Sequence, residues 1–341
     1  MKRIRPGRII ISRTDAIGDV VLTLPLTGLL KNKFPECRIL FFGRTYTKPV
    51  IDACQHVDEF INYTDFEKLN RAEQKEFLKK YQADTILHVF PKSDVAAAAK
   101  AAGIRYRIGT TNRLYHWWTC NKLISLSRKN SDLHEAQLNV KLLSPFGVEE
   151  ELPLTALSSF YWLTKLKPLP DGLKKFLSKE KFNLILHPKS NVSAREWSLA
   201  RYAELIHILS PELFNILVTG SEKEKPELDS WLSTLPSHVQ NSVGKMTLDE
   251  LVSFIHAADG LVAASTGPLH IAAALNKHAL GIYPPIRPMH PGRWAPVGKQ
   301  AEFVVMKKNC SDCRNNPSHC HCMNEITAVE VAEKISRWKK R

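Results

Sequence analysis

The chain has 341 residues, 44% of them hydrophobic and 24% charged, with 48 Lys and Arg against 34 Asp and Glu, a formal net charge of +14. That length exceeds what one core usually holds and predicts two domains of about 150 residues each. The charge favours polyanionic partners such as phosphorylated lipids or phosphate-bearing substrates. Nucleic acid ranks below these, because no zinc-finger His pair, no RNP-type run and no basic region with heptads occurs.

Taken in chain order, Met1–Arg13 offers only Ile9, Ile10 and Ile11 as an apolar run, too short for a secretory signal. No stretch of about 18 apolar residues predicts a membrane span. The expected location is the cytoplasm, with any membrane contact peripheral. Arg8–Ser12 (RIIIS) reads as a buried strand, followed by the turn Arg13–Asp19 and a helix pattern through Val20, Leu24, Leu29 and Leu30. Arg38–Phe42 and Thr85–Phe90 read as further strands, with a helix over Phe66–Lys80. A polar, Pro-containing stretch from Glu149 to Pro170 reads as a linker.

The alternation then restarts. Strands are predicted at Asn183–His187, Phe214–Thr219, Gly260–Ala264, Ala279–Tyr283 and Phe303–Met306. Helices are predicted near Leu199–Leu209, Lys223–Leu235, Leu248–Ala257, from Pro268, and over Ala328–Lys339. Two β/α halves in tandem imply two parallel, helix-covered sheets with ligands beyond the carboxyl ends of the strands.

The chemistry-bearing residues fall just after those strands. In Arg13–Asp19 (RTDAIGD), Gly18 suits a tight turn. Asp19 falls in the first turn of a helix, either as an N-cap or as a carboxylate able to take a proton from an attacking hydroxyl. Asp15 carries the same ambiguity. Ala264–His270 (ASTGPLH) reads as a helix start with a hydroxyl cap from Ser265 or Thr266. Gly267 and Pro268 follow, and the amides there suit a diphosphate. His187–Trp197 supplies Lys189, Ser190, Ser193 and Arg195, suited to phosphate charge, or simply a surface loop. In Thr219–Glu224, Gly220 permits close approach, and Glu224 or Glu222 suits a ribose. No GxGxxG and no Walker lysine motif occurs.

Among seven cysteines, Cys310, Cys313, Cys320 and Cys322 cluster, as structural metal ligands or as thiols. Arg113–Lys129 sets Trp117 and Trp118 among basic residues, suited to a lipid headgroup interface or to core packing.

Together these segments resemble glycosyltransferase family 9, the ADP-heptose:lipopolysaccharide heptosyltransferases. The resemblance rests on RTDAIGDVVLTLPLTGLLK (Arg13–Lys31), AGIRYRIG (Ala102–Gly109), HEAQLNVKLLSPFGV (His134–Val148), LHPKSNVSAREW (Leu186–Trp197), VTGSEKE (Val218–Glu224), the long run Gly244–Leu275 and the Cys cluster. It implies an α/β GT-B fold, two Rossmann-like doubly wound domains facing across a cleft. Residues 1–160 would bind the acceptor and 161–326 the nucleotide sugar. Residues 327–341 would form a helix packing back on the first domain. It implies inverting transfer of heptose from ADP-heptose to an anionic glycolipid of the lipopolysaccharide inner core, with no cofactor and no metal for the chemistry. The enzyme would work peripherally at the inner face of the inner membrane, without nucleic acid.

By the match, Asp19 is the general base, and Arg13 and Gly18 lie beside the acceptor. Lys189, Ser193, Arg195, Thr266, Gly267 and His270 meet the donor phosphates and sugar, Gly220 and Glu224 the ribose, and Met246 the adenine. Ser265 departs from the family, which carries Asp there in many members. The donor sugar is therefore open. Transfer of another activated sugar, a protein acceptor, and a non-catalytic nucleotide-binding module are the alternatives.

Overall fold

A computed structural model of the chain describes residues 3–129, 131–148, 152–191, 194–307, 310 and 320–338. It divides into two compact units, Met1–Lys165 and Leu166–Arg341, five residues beyond the expected boundary.

The first unit is built on a six-stranded parallel sheet. Its strands are β1 (Arg8–Ser12), β2 (Arg38–Gly43), β3 (Glu59–Asn62), β4 (Thr85–His88), β5 (Tyr106–Thr110) and β6 (Lys122–Ile124). The spatial order is β3-β2-β1-β4-β5-β6. The second unit contains β7 (Phe182–His187), β8 (Phe214–Val218), β9 (Gln240–Asn241), β10 (Gly260–Ala264), β11 (His278–Tyr283) and β12 (Ala301–Val305). Their order is β12-β11-β10-β7-β8-β9. Counted from its own first strand, the second sheet repeats the order of the first. Both are doubly wound Rossmann sheets, and each has a switch point, β1 against β4 and β7 against β10. The register fixes these neighbours: Ser12 pairs with His88, and Ala263 with His187.

The central strands form because Ile and other apolar residues run unbroken on both faces: Ile9, Ile10 and Ile11 are fully buried, as a helix-covered parallel sheet requires. β3, β5, β6 and β9 lack such runs and had no counterpart in the sequence pattern. They are short, partly exposed, and sit at or next to sheet edges.

Two expected helices break in two. The pattern after Asp19 splits into Ile17–Val21 and Pro25–Lys33, because Pro25 has no N–H to continue the first and its fixed φ suits the start of the second. Phe66–Lys80 splits into Tyr63–Phe66 and Arg71–Lys79, where Asn70 and Glu73 form a capping box that starts a new helix.

The last helix, Ala328–Ile335, joins the core of the second unit. Ala328, Val331, Ala332 and Ile335 lie in one cluster with Tyr202, Leu205 and Phe182, at the spacing of a single helical face. Trp338 stacks on His278 at 4.9 Å, and the Trp197 indole donates to the Ile326 carbonyl at 2.9 Å. Among the described residues no helix is long and apolar enough to cross a membrane.

Candidate active site

β1 delivers Arg13 to the carboxyl edge of the first sheet, at its switch point. The guanidinium is 3% exposed and meets three carboxylates. Nε donates to Asp15 at 2.7 Å, Nη1 to Glu135 at 3.1 Å, and Nη2 to Asp19. Glu135, 1% exposed, also accepts from Arg128 at 3.0 Å. Arg128 further donates to the Asn139 side-chain oxygen Oδ1 and to the Val89 carbonyl.

Three carboxylates thus share two guanidiniums in a largely dry site. One negative charge is in excess, which sets the electrostatics. Burial pushes the Asp19 carboxyl above its ordinary value; Arg13 pulls it down and Glu135 pushes it back up. Asp15 is raised to about 6, by burial first and by Asp19 next, against the pull of Arg13. An ion pair alone would have lowered both.

The sequence reading of this turn needs two corrections. The N-cap of the helix Ile17–Val21 is Ala16, with no side-chain cap bond, so Asp19 is not the cap. Gly18 is the second residue of that helix, and the positive-φ glycines are Gly103, Gly147 and Gly244. Gly18 therefore supplies no left-handed turn.

Glu135 and His88 had not been singled out, and Arg128 had been read only as one of the basic residues of the Arg113–Lys129 segment. His88 ends β4 beside Ser12 and is fully buried. Neither of its ring nitrogens has a hydrogen-bond partner, nor do Ser12 Oγ and Thr14 Oγ1. Burial drives the His88 pKa down to about 3, with His116 contributing. Their rings lie 5.5 Å apart. The available signal was a histidine inside the apolar run TILHVF; Glu135 opens a helix of mixed polarity, EAQLNVK, and carried none.

In the second unit the described donor residues predicted from the sequence follow the carboxyl ends of strands, on loops and on the first turns of the helices after them. Thr266 is the N-cap of the helix Gly267–Ala274, but makes no side-chain cap bond. Its Oγ1 is buried and without a partner. The expected hydroxyl cap is thus not made. What stands there is a desolvated hydroxyl beside Gly267 and the amides of a helix start, which costs stability unless something else meets it. His270 is buried one turn further on. Ser265 hydrogen-bonds the Tyr283 phenol, which itself donates to the Trp294 carbonyl at 2.5 Å.

Lys189 is held by Glu196 at 2.5 Å and Glu227 at 3.0 Å, so a phosphate would have to draw it from these carboxylates. Arg195 and Met246 are half-buried, and Ser193 lies outside the described residues. Glu224 Oε2 accepts from the Ser221 amide and hydroxyl at 2.7 and 2.8 Å, capping its own turn. The close approach that Gly220 permits is to Leu228 Cδ1: a Cβ there would lie 2.7 Å from it. His187, not singled out earlier, ends β7 and pairs with the Thr219 hydroxyl at 2.9 Å. Burial lowers its pKa, opposed by Glu224 and Glu196.

Cys320 and Cys322 have sulfurs 3.4 Å apart, Cys310 is half-buried, and Cys313 is outside the described residues. Among the described residues no three His, Cys, Asp or Glu are placed to hold a metal. Trp117 and Trp118 are both exposed, which removes the core-packing alternative.

The profile of glycosyltransferase family 9 (heptosyltransferase) matches residues 71–324. The chain belongs to this family. It is a glycosyltransferase built of two doubly wound units of the GT-B class. A Haemophilus influenzae protein described provisionally as a glycosyltransferase is 27% identical over 87% of this chain and 88% of its own. Lipopolysaccharide heptosyltransferase 2 of Escherichia coli K12 is 24% identical over 82% of this chain and 84% of its own. The solved structure of Escherichia coli ADP-heptose lipopolysaccharide heptosyltransferase II superposes with a TM-score of 0.74 at 20% identity, covering 97% of each chain.

Proposed function

We propose that this family 9 glycosyltransferase moves a heptose from ADP-heptose onto an anionic lipopolysaccharide inner-core acceptor, with inversion, at the cytoplasmic face of the inner membrane. Asp19 takes the proton of the acceptor hydroxyl as it attacks the anomeric carbon. The C–O bond to the diphosphate breaks in the same displacement, and ADP leaves with the bonding pair. Arg13 holds Asp19 in place, and with Gly18 lines the acceptor side. Thr266, Gly267 and His270 receive the diphosphate and sugar, with Lys189, Ser193 and Arg195 supplying hydrogen bonds and charge as ADP gains negative charge. Gly220 and Glu224 lie toward the ribose, and Met246 toward the adenine.

The observation that carries this reading is the Asp19 carboxyl. It sits at a switch point, oriented by a buried arginine, with a pKa raised above the ordinary carboxylate range by burial. A base is most effective when its pKa approaches the working pH. Asp19→Asn keeps the shape and removes the base. Turnover should fall about 10²–10⁴-fold, while the affinity for ADP, measured by calorimetry, stays within about twofold. Near-wild-type turnover of a folded Asp19→Asn protein would remove Asp19 from the role.

A second reading keeps the reaction and changes the donated sugar. It is favoured by Ser265, whose hydroxyl is engaged by Tyr283 where the family resemblance leads one to expect a carboxylate. Mass spectrometry of products from ADP-heptose and from nucleotide hexoses, offered together, separates the two.

A further inference from the structure

Leu114, Trp117 and Trp118 are 77%, 60% and 61% exposed. They lie on one face of one helical turn, because the amides of His116 and Trp117 bond back to Arg113 and Leu114, and the Cys120 amide to His116. The opposite face is anchored. His116 is buried and its Nδ1 accepts from the Thr110 amide at 2.9 Å, and Gly109 leaves room for the imidazole, a Cβ there falling 2.7 Å from Nδ1. Two backbone carbonyls of the turn are used as well: Lys100 donates to Trp118 at 2.7 Å, and the Trp117 indole donates to Thr111 at 3.1 Å. A rigid turn therefore presents three large apolar side chains to solvent, the opposite of what a structural tryptophan does.

Along the segment that carries the turn the charge has one sign. From residue 95 to residue 131 the sequence holds no Asp or Glu and seven cations: Lys100, Arg105, Arg107, Arg113, Lys122, Arg128 and Lys129. Of these Lys100, Arg105, Arg113 and Lys129 are exposed. Exposed tryptophans in a segment whose exposed charges are all cationic match one chemistry: the boundary of an anionic bilayer, where indoles seat at headgroup depth and Lys and Arg meet lipid phosphate. The turn leaves β5 at the same edge of the sheet from which Arg13–Asp19 leaves β1.

We infer that Leu114, Trp117 and Trp118, with Arg105, Arg113 and Lys129, dock this enzyme on an anionic lipid bilayer. The inference deepens the lipid-linked acceptor proposed above and rests on it for its purpose, though not for its measurement.

The test uses the full chain and sedimentation with two kinds of vesicle, phosphatidylcholine alone and phosphatidylcholine mixed with phosphatidylglycerol. The wild type should bind the anionic vesicles at least about tenfold more strongly. Replacing Leu114, Trp117 and Trp118 together by Ser should lower that partition about tenfold at unchanged melting temperature. Replacing Arg105, Arg113 and Lys129 together by Gln should lower it roughly a hundredfold. Brominated lipid should quench the tryptophan emission of the wild type and not that of the Ser variant. Equal binding of the wild type to both vesicles, or wild-type partition in either variant, overturns the inference. Transfer to a delipidated, water-soluble acceptor is measured alongside and should be unchanged in the Ser variant. If the wild type prefers anionic vesicles yet transfers no sugar, the docking surface stands and the acceptor reading falls.

Discussion

His88 makes the stability of the first unit depend on pH in a way that can be isolated. It is fully buried, with no partner at either ring nitrogen. The folded state holds it neutral down to about pH 3, against an ordinary value of 6.5. Below pH 6.5 the unfolded chain binds a proton that the folded chain does not. Stability therefore rises with pH, and it is lost as pH falls from 6.5 toward 3. At about 1.4 kcal/mol per pH unit, the loss is about 2 kcal/mol at pH 5 and approaches about 5 kcal/mol by pH 3. His88→Phe keeps an aromatic ring and removes both nitrogens. No hydrogen bond is given up, so the variant should be as stable as the wild type at pH 7, or more so.

The assay is urea unfolding of both proteins at pH 7 and pH 5. The wild type should lose about 2 kcal/mol more than the variant on acidification. Asp15, raised to about 6, is protonated more readily in the fold and works in the opposite direction, but it is common to both proteins and cancels in the difference. An identical pH dependence in His88→Phe would refute the reasoning.

Other consequences can be read as directly. Glu135→Gln removes the excess negative charge that helps hold Asp19 up, so the acidic limb of kcat/KM should move to lower pH, at a stability cost of about 1–3 kcal/mol; a limb that stays put would contradict the charge balance described. Thr266→Val deletes a hydroxyl that has no partner, so melting should be unchanged while calorimetry shows ADP binding about 5–30-fold weaker, equivalent to about 1–2 kcal/mol. Trp338→Ala empties a buried stack against His278 and Phe182 and should cost the second unit about 3–5 kcal/mol in chemical unfolding.

Much of the fold was legible because a parallel sheet covered on both faces demands unbroken apolar strands, and RIIIS, NLILH and GLVAA carry that demand openly. β5 and β6 were not, since Arg107 and Lys122 break their apolar runs at and next to the sheet edge, where no pattern of alternation marks a strand. In the first unit, Arg13, Asp15 and Asp19 could be singled out because they follow a strand within a few residues. Glu135 could not, because it reaches Arg13 across 122 positions of sequence and only folding brings the two together. The engagement of Lys189 by Glu196 and Glu227, and of Ser265 by Tyr283, was hidden for the same reason. A residue type announces what it can bond, but not which neighbour has already taken it.

The helix Ala328–Ile335 and Trp338 complete the second unit's core, and this orders events during synthesis. The first unit is whole once Lys165 has emerged. The second waits for Trp338, 173 residues later (338 minus 165). At about 5–20 residues per second, that interval is roughly 9–35 s. Once made, the Trp197 and Tyr202 face of the growing chain lacks the helix that finally covers it, so a stalled ribosome would leave a finished first half tethered to a sticky, incomplete second.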